Sequence, residues 1–201
     1  MARIGLVGGS FNPAHRGHRH ISIEALRRLA LDEVWWLVSP QNPLKDKAGM
    51  APLTARMESA RRAARHPRIR PTDIETALGT AYTVDTIIAL KRAFPQHRFV
   101  WIMGADNLLQ FSRWKRWRDI AREVPIAVMA RGDYIGRARR APAMAWLRRY
   151  IRGEVRVKHW AEWELPAIVI LSIPLDPSSA TAIRTRDPGW ASRIGATNPK
   201  G

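Results

Sequence analysis

The stretch Ile4-Gly5-Leu6-Val7-Gly8-Gly9-Ser10-Phe11-Asn12-Pro13-Ala14-His15-Arg16-Gly17-His18 decides how this chain is read. An apolar run, Ile4 to Val7, passes into a glycine pair and then into a helical pattern. The order predicts a strand, a phosphate-sized loop and a helix start. Gly8 and Gly9 remove side chains that would hold a ligand's phosphates away from backbone N–H groups. The helix that follows turns its positive end to the same point. His15 and His18 are three apart, so a helix starting near Pro13 or Ala14 places them on one face of its first turn, beside that anion site. Two imidazoles next to a phosphate cradle point to phosphate chemistry.

Blander readings stand beside this one. A glycine pair alone is an ordinary strand-to-helix turn, and histidines are often surface residues. With His20 the two histidines do not make a metal set, because the chain has no cysteine and the cluster no carboxylate. Neither G-x-G-x-x-G nor G-x-x-x-x-G-K-[ST] occurs, which excludes two common phosphate loops.

Outward from this stretch the pattern alternates. Residues 18–30 space Ile21, Ile23, Leu26 and Leu29 as a helix, and Val34 to Val38 is a continuously apolar run, as in a buried parallel strand. Ser39 to Lys47, with two prolines, predicts a stiff loop that offers Lys45 and Lys47 at the strand's carboxyl end. Thr54 is placed to cap a helix over 55–64, and a weaker strand is expected over 68–74. Phe99 to Met103 and Pro125 to Ala130 read as strands, 141–152 as an amphipathic helix, and Ile168 to Ile173 as a late strand. Gly104 and Asp106 follow the strand at 99–103, where Asp106 can accept from ribose hydroxyls or simply cap a helix. Taken by its own stretch, Thr83 reads as an N-cap, and Trp114 or Trp117, lone tryptophans on a helix, read as core unless one stacks on a ligand ring. Ser179 and Thr181 precede a helical run whose first N–H groups suit phosphate, and Arg184, one turn in, brings a planar fork.

At 201 residues and 46% apolar composition, the chain predicts one cored domain, 1–186, followed by a polar tail over 187–201 that need not be ordered. No apolar run is long enough to span a membrane and no leader pattern opens the sequence, so a cytoplasmic location is expected. The balance of 34 basic against 17 acidic residues, +17 overall, raises nucleic acid as a partner. The arginines form no single stripe and no nucleic-acid motif, and the charge reads as a solvated basic surface.

The same residues carry a family resemblance. Gly8 to His18 resembles the G-[ST]-F-[DN]-P-x-H-x-G-H signature of the nucleotidylyltransferase superfamily, whose members join a phosphate or phosphonate acceptor to the α-phosphate of a nucleoside triphosphate. Pro40 to Lys45 is similar to the proline- and lysine-bearing loop of bacterial nicotinate-nucleotide adenylyltransferases, with Leu44 where many have histidine. Tyr82-Thr83-x-x-Thr86 and Gly104-x-Asp106 with Trp114 resemble two further motifs of that branch. Ser179, Thr181, Ile183 and Arg184 align with its S-S-T-x-I-R, Ala180 replacing a serine.

The resemblance implies a Rossmann-like, doubly wound α/β fold with a mostly parallel sheet and helices on both faces. It implies transfer of AMP from ATP to nicotinate mononucleotide, giving deamido-NAD and pyrophosphate, with Mg²⁺ accompanying ATP. It assigns His15, His18 and Arg184 to catalysis, and Gly8, Gly9, Ser10, Phe11, Lys45, Gly104, Asp106, Ser179 and Thr181 to ATP and its phosphates. Thr83 and Trp114 fall to the nicotinate nucleotide. A homo-oligomer is compatible with this reading. Beyond Arg184 the sequence departs from relatives, since Asp187-Pro188-Gly189 and a polar tail stand where they carry a closing helix. Pantetheine-phosphate adenylyltransferase, a dual nicotinate/nicotinamide enzyme and a basic nucleic-acid-binding protein on the same fold remain alternatives.

Overall fold

In the computed structural model, which describes residues 1–40, 49–131, 134–174 and 176–196, six strands form one parallel sheet. They are β1 (Arg3–Gly9), β2 (Glu33–Val38), β3 (Ile69–Thr72), β4 (Arg98–Gly104), β5 (Ile126–Arg131) and β6 (Ile168–Ile173), in the order β3-β2-β1-β4-β5-β6. Val7 pairs with Trp36 on one side and Ile102 on the other, so β1 is central. The chain winds outward from β1 to β3 and returns to β1's other edge with β4. Strand order therefore reverses at β1, and a crevice opens at the carboxyl ends of β1 and β4. This is the doubly wound α/β fold expected.

Because helices cover both faces, the central strands are buried on both sides and read as unbroken apolar runs. In β4, Phe99, Trp101 and Met103 enter one core while Val100 and Ile102 enter the other. The first core packs under α4 (Thr83–Ala93), α5 (Ala105–Gln110), α6 (Trp117–Glu123), α7 (Ile135–Arg139) and α8 (Met144–Leu147). The second packs under α1 (Arg16–Arg28), α2 (Leu53–Ala64) and the 3₁₀ segment Glu154–Glu162. Its two fully buried indoles have their N–H groups satisfied, Trp36 donating to Ser22 Oγ at 2.8 Å and Trp160 to the Leu29 carbonyl at 2.9 Å.

Several local expectations change. Thr54 is the second residue of α2 and caps nothing; Pro52 occupies the N-cap without a side-chain bond. The short helix α3 (Ile74–Leu78) takes the end of the expected third strand. The helix expected over 141–152 stops early, because α8 tightens into a 3₁₀ turn over Arg148–Tyr150 and Ile151 leaves it to bridge Ile168. After α9 (Ala180–Arg186), part of the segment expected as a polar tail is helical: α10 (Trp190–Ala196) packs on α2 and buries Trp190. Asp187-Pro188-Gly189 breaks the helix without ending the fold.

Candidate active site

A cleft of about 780 Å³ lies at the strand reversal, a size suited to a nucleotide-scale ligand. Gly8, Gly9, Ser10, Phe11, His15 and His18 line one part of it. Thr83, Gly104, Asp106 and Trp114 reach it from the ends of other elements, and Ser179, Thr181 and Arg184 from α9. Residues separated by more than 170 positions thus share one cleft. Trp117 is not among its lining residues and packs on Phe111 and Trp146 instead. Lys45 lies outside the described residues.

The two histidines differ from expectation in an informative way. α1 begins at Arg16, so His15 is its N-cap and His18 its third residue. His15 Nδ1 accepts the Gly17 N–H at 3.1 Å, and His18 Nδ1 accepts the His15 N–H at 3.2 Å. Together they form a capping box built from imidazoles instead of the usual hydroxyl and carboxylate. With each Nδ1 an acceptor, the proton of each neutral ring resides on Nε2. Burial pushes His15 below its ordinary value of 6.5, an effect that the nearby Asp176 carboxylate partly offsets, so the ring is neutral at pH 7.

The glycines serve packing as much as phosphate access. A Cβ on Gly8 would lie 2.5 Å from Trp101 Cη2, and one on Gly17 would lie 2.9 Å from His15 Cε1. Gly8 therefore admits the Trp101 ring beneath the loop, and Gly17 lets the His15 ring fold over the helix start. Phe11, at φ 47° in the left-handed region, is held by stacking on Trp36 at 5.0 Å and lies 4.7 Å from the His18 ring. Such a backbone costs a non-glycine residue roughly 1–2 kcal/mol, which burial of the ring offsets.

Other side chains tie the loop to its surroundings. Asn12 accepts from the Ala51 N–H at 3.2 Å and donates to the Gly49 carbonyl at 2.9 Å, a bond that a carboxylate at this position could not make. Arg184 Nη1 donates to the Asn12 carbonyl at 2.5 Å and Nη2 to Thr181 Oγ1 at 3.2 Å, so part of its fork already joins α9 to the first loop. Ser179 caps α9, its hydroxyl accepting the Ala182 N–H.

Sequence reasoning missed several contributors. Arg56, 1% exposed, donates to the carbonyls of Ser10 (2.9 Å), Ser39 (2.6 Å), Pro40 (2.9 Å) and Ala51 (2.9 Å). It staples the anion loop to the end of β2 and places a buried cation beneath it. Burial lowers its pKa, but a guanidinium stays charged. An arginine amid alanines on a helix gives no hint of this in sequence. Asp176 also lines the cleft; burial pushes its carboxyl up, but the Ser178 hydroxyl and N–H, with Arg16 and His20 behind them, hold it below the usual range.

At the other end, the buried Glu75 on α3 accepts from Thr86 Oγ1 at 3.0 Å. That oxygen also contacts Thr80 Oγ1 at 2.9 Å and the Tyr82 carbonyl at 3.2 Å. Burial raises the Glu75 pKa; the Thr86 and Ser39 hydroxyls favour the carboxylate without outweighing it, and no well-formed hydrogen bond reaches Oε2. The network holds the turn before α4, whose N-cap Tyr82 and first residue Thr83 form part of the cleft wall. Among the described residues no group of three or more His, Cys, Asp or Glu forms a cation cage, and no helix is long and apolar enough to cross a membrane.

Residues 6–186 match the cytidylyltransferase-like family model. A protein of Erythrobacter litoralis named probable nicotinate-nucleotide adenylyltransferase is 56% identical over 95% of this chain and 87% of its own. One of the same name from Parvibaculum lavamentivorans is 52% identical over 95% and 94%. A structure of Plasmodium falciparum nicotinic acid mononucleotide adenylyltransferase complexed with NaAD superposes with a TM-score of 0.66 at 16% identity, covering 92% of this chain and 83% of the other. At that identity the superposition speaks for the fold.

Proposed function

The chain belongs to the cytidylyltransferase-like family and, within it, to the nicotinate-nucleotide adenylyltransferases; from that premise we propose that it joins nicotinate mononucleotide to AMP by one direct displacement at the α-phosphorus of ATP. The acceptor's 5′-phosphate oxygen forms the new P–O bond as the bond to the β-phosphate's bridging oxygen breaks, and pyrophosphate leaves with that electron pair. The attacking oxygen is already ionised at neutral pH, so no base and no covalent enzyme intermediate are required. Catalysis is then positioning and charge stabilisation.

The observation that carries this reading is the imidazole capping box. It leaves two neutral rings with Nε2–H as their donor in a cleft also lined by the anion loop and α9. Such donors suit charge developing on phosphoryl oxygens and abstract no proton. Ser179, Thr181 and Arg184 fit the β- and γ-phosphates, Gly8 to Phe11 the loop side, and Gly104 and Asp106 a ribose. Lys45 is assigned to phosphate from sequence alone. Thr83 and Trp114 fit the nicotinate, its ring against the indole. Of the three carboxylates lining the cleft among the described residues, Glu75 is engaged by Thr86, and Asp106 and Asp176 would be the residues to hold a Mg²⁺ accompanying ATP, which would supply charge neutralisation for the leaving pyrophosphate.

The test is pyrophosphate release from ATP and Mg²⁺ with nicotinate mononucleotide, nicotinamide mononucleotide and phosphopantetheine offered separately. Rapid release with the nicotinate nucleotide is expected. Release with phosphopantetheine alone would overturn the acceptor assignment.

A further inference from the structure

Folding gathers part of the chain's basic charge onto aromatic rings outside the cleft. Residues 113–152 carry twelve basic residues and three acidic ones, so about a fifth of the sequence holds nine of the seventeen net positive charges. Within it, Trp117 at the start of α6 meets Trp146 of α8 edge-on at 5.6 Å, and Trp146 meets Tyr150 at 4.9 Å. The three rings make a half-buried row. Arg118 lies over Trp117 at 4.6 Å and over Trp146 at 5.9 Å, and Arg122, one turn along α6, lies 5.7 Å from the Trp146 ring. Such contacts fix a guanidinium in place and leave it charged. None of these five side chains lines the cleft.

The charge on this face is only partly neutralised. Asp119 accepts from Arg116 at 2.8 Å and from Arg122 at 2.7 Å, and Glu123 pairs with Lys91 at 2.8 Å. Both carboxylates of α6 are thereby engaged. The exposed Arg118, Arg148 and Arg149 meet no carboxylate among the described residues. Arg149 stands three positions after Trp146 and directly before Tyr150, at the end of the ring row.

We infer that this face is a second binding surface, for single-stranded nucleic acid, with phosphates on Arg118, Arg122 and Arg149 and bases stacked on the guanidinium planes and the Trp146–Tyr150 rings. The inference goes beyond the reaction proposed above and does not depend on it. Fixed arginines interleaved with aromatic rings match both parts of a nucleotide, a charge for the phosphate and a planar face for the base. An acidic protein or a lipid headgroup would use the charge and leave the planar faces without a partner. A duplex would bring phosphates but keep its base faces stacked on one another.

The experiment follows fluorescence anisotropy of a labelled uridine RNA of about twelve nucleotides as salt is raised, with the full chain as wild type, as the double variant Arg118→Gln, Arg149→Gln, and as Tyr150→Leu. Wild type should bind the single strand with an affinity that falls steeply with salt. Removing two phosphate contacts should flatten the logarithmic salt slope by about 1.4. Tyr150→Leu should weaken binding by about tenfold, the loss of one stacked base, with the slope unchanged. Thermal unfolding checks that Tyr150→Leu folds, and the two exposed arginines test the face without it. Saturating ATP should leave the RNA bound, and pyrophosphate release should be the same in the double variant as in wild type. RNA displaced by ATP would place it in the cleft and overturn the inference. So would equal affinity for duplex RNA or for an abasic oligomer of the same charge, an unchanged salt slope in the double variant, or binding to phosphatidylserine vesicles without binding to RNA.

Discussion

The two ends of the cleft are assembled by different means. At the end proposed for the triphosphate a continuous stretch, Gly8 to His18, supplies loop, cap and imidazoles, and backbone groups fix the rings through Nδ1. At the end proposed for the acceptor the wall is gathered from α3, the start of α4, β4 and the turn after α5, and side chains hold one another: Glu75 with Thr86, Trp101 with Trp114 at 6.1 Å, Lys115 with Tyr82 and Asp85. On the proposed reading, the first end is preorganised for charge that any nucleoside triphosphate brings, and the second is shaped for one acceptor. Changes at the first should therefore act on turnover, and changes at the second on acceptor affinity and local stability.

The largest effect is expected at His18. His18→Ala should lower turnover by about 10²–10³, the usual cost of losing a preorganised donor, and should also lose part of the capping box. His18→Gln separates the two roles, because glutamine is a natural partner at this capping position. It should recover thermal stability without recovering turnover. If His18→Gln turned over near the wild-type rate, the ring would be serving the helix and not the phosphates.

Gly8→Ala probes the seam between the ends. Its Cβ would meet Trp101 at 2.5 Å, and forcing an extra methyl into a packed site typically costs about 1–3 kcal/mol. Thermal unfolding should show that loss, and Trp101→Phe in the same chain should restore much of it by shortening the ring. A Gly8→Ala variant as stable as wild type but impaired in phosphate binding would show that the glycine serves the ligand alone.

Much of the first end was legible in the sequence because its residues are contiguous and their chemistry is local. What sequence misplaced was the helix start, since a histidine cap looks nothing like the Ser, Thr, Asp or Asn that usually mark one. Arg56 and Glu75 were not legible. A buried arginine that binds four carbonyls and a carboxyl beneath a threonine depend on which loops meet in space, and neither leaves a periodic signal. The strands at β1, β2, β4, β5 and β6 were readable because burial on both faces makes them continuously apolar. Short β3 at the sheet edge and α10 beyond a proline-glycine break were poorly marked, their patterns being brief.

The smallest effect concerns Glu75 and carries a pH sign. Its pKa in the fold is raised from the ordinary 4.5 by burial. The stability it contributes is fully present below that unfolded value and is lost as pH rises through the folded one. Glu75→Gln, which stays neutral and can still accept from Thr86, should match wild type at pH 4 and unfold at a higher temperature at pH 8. A gain of about 1 kcal/mol would appear as about 2–4 °C in Tm. A variant destabilised at both pH values would mean that the carboxylate is required for packing and that its burial is fully compensated.

The division of the cleft is tested most directly by a crystal structure with deamido-NAD bound. The nicotinate ring should lie against Trp114 beside Thr83, with the diphosphate at His15, His18 and the start of α9. A dinucleotide bound in the reverse sense, with adenine against Trp114 and the nicotinate away from Thr83, would contradict that division.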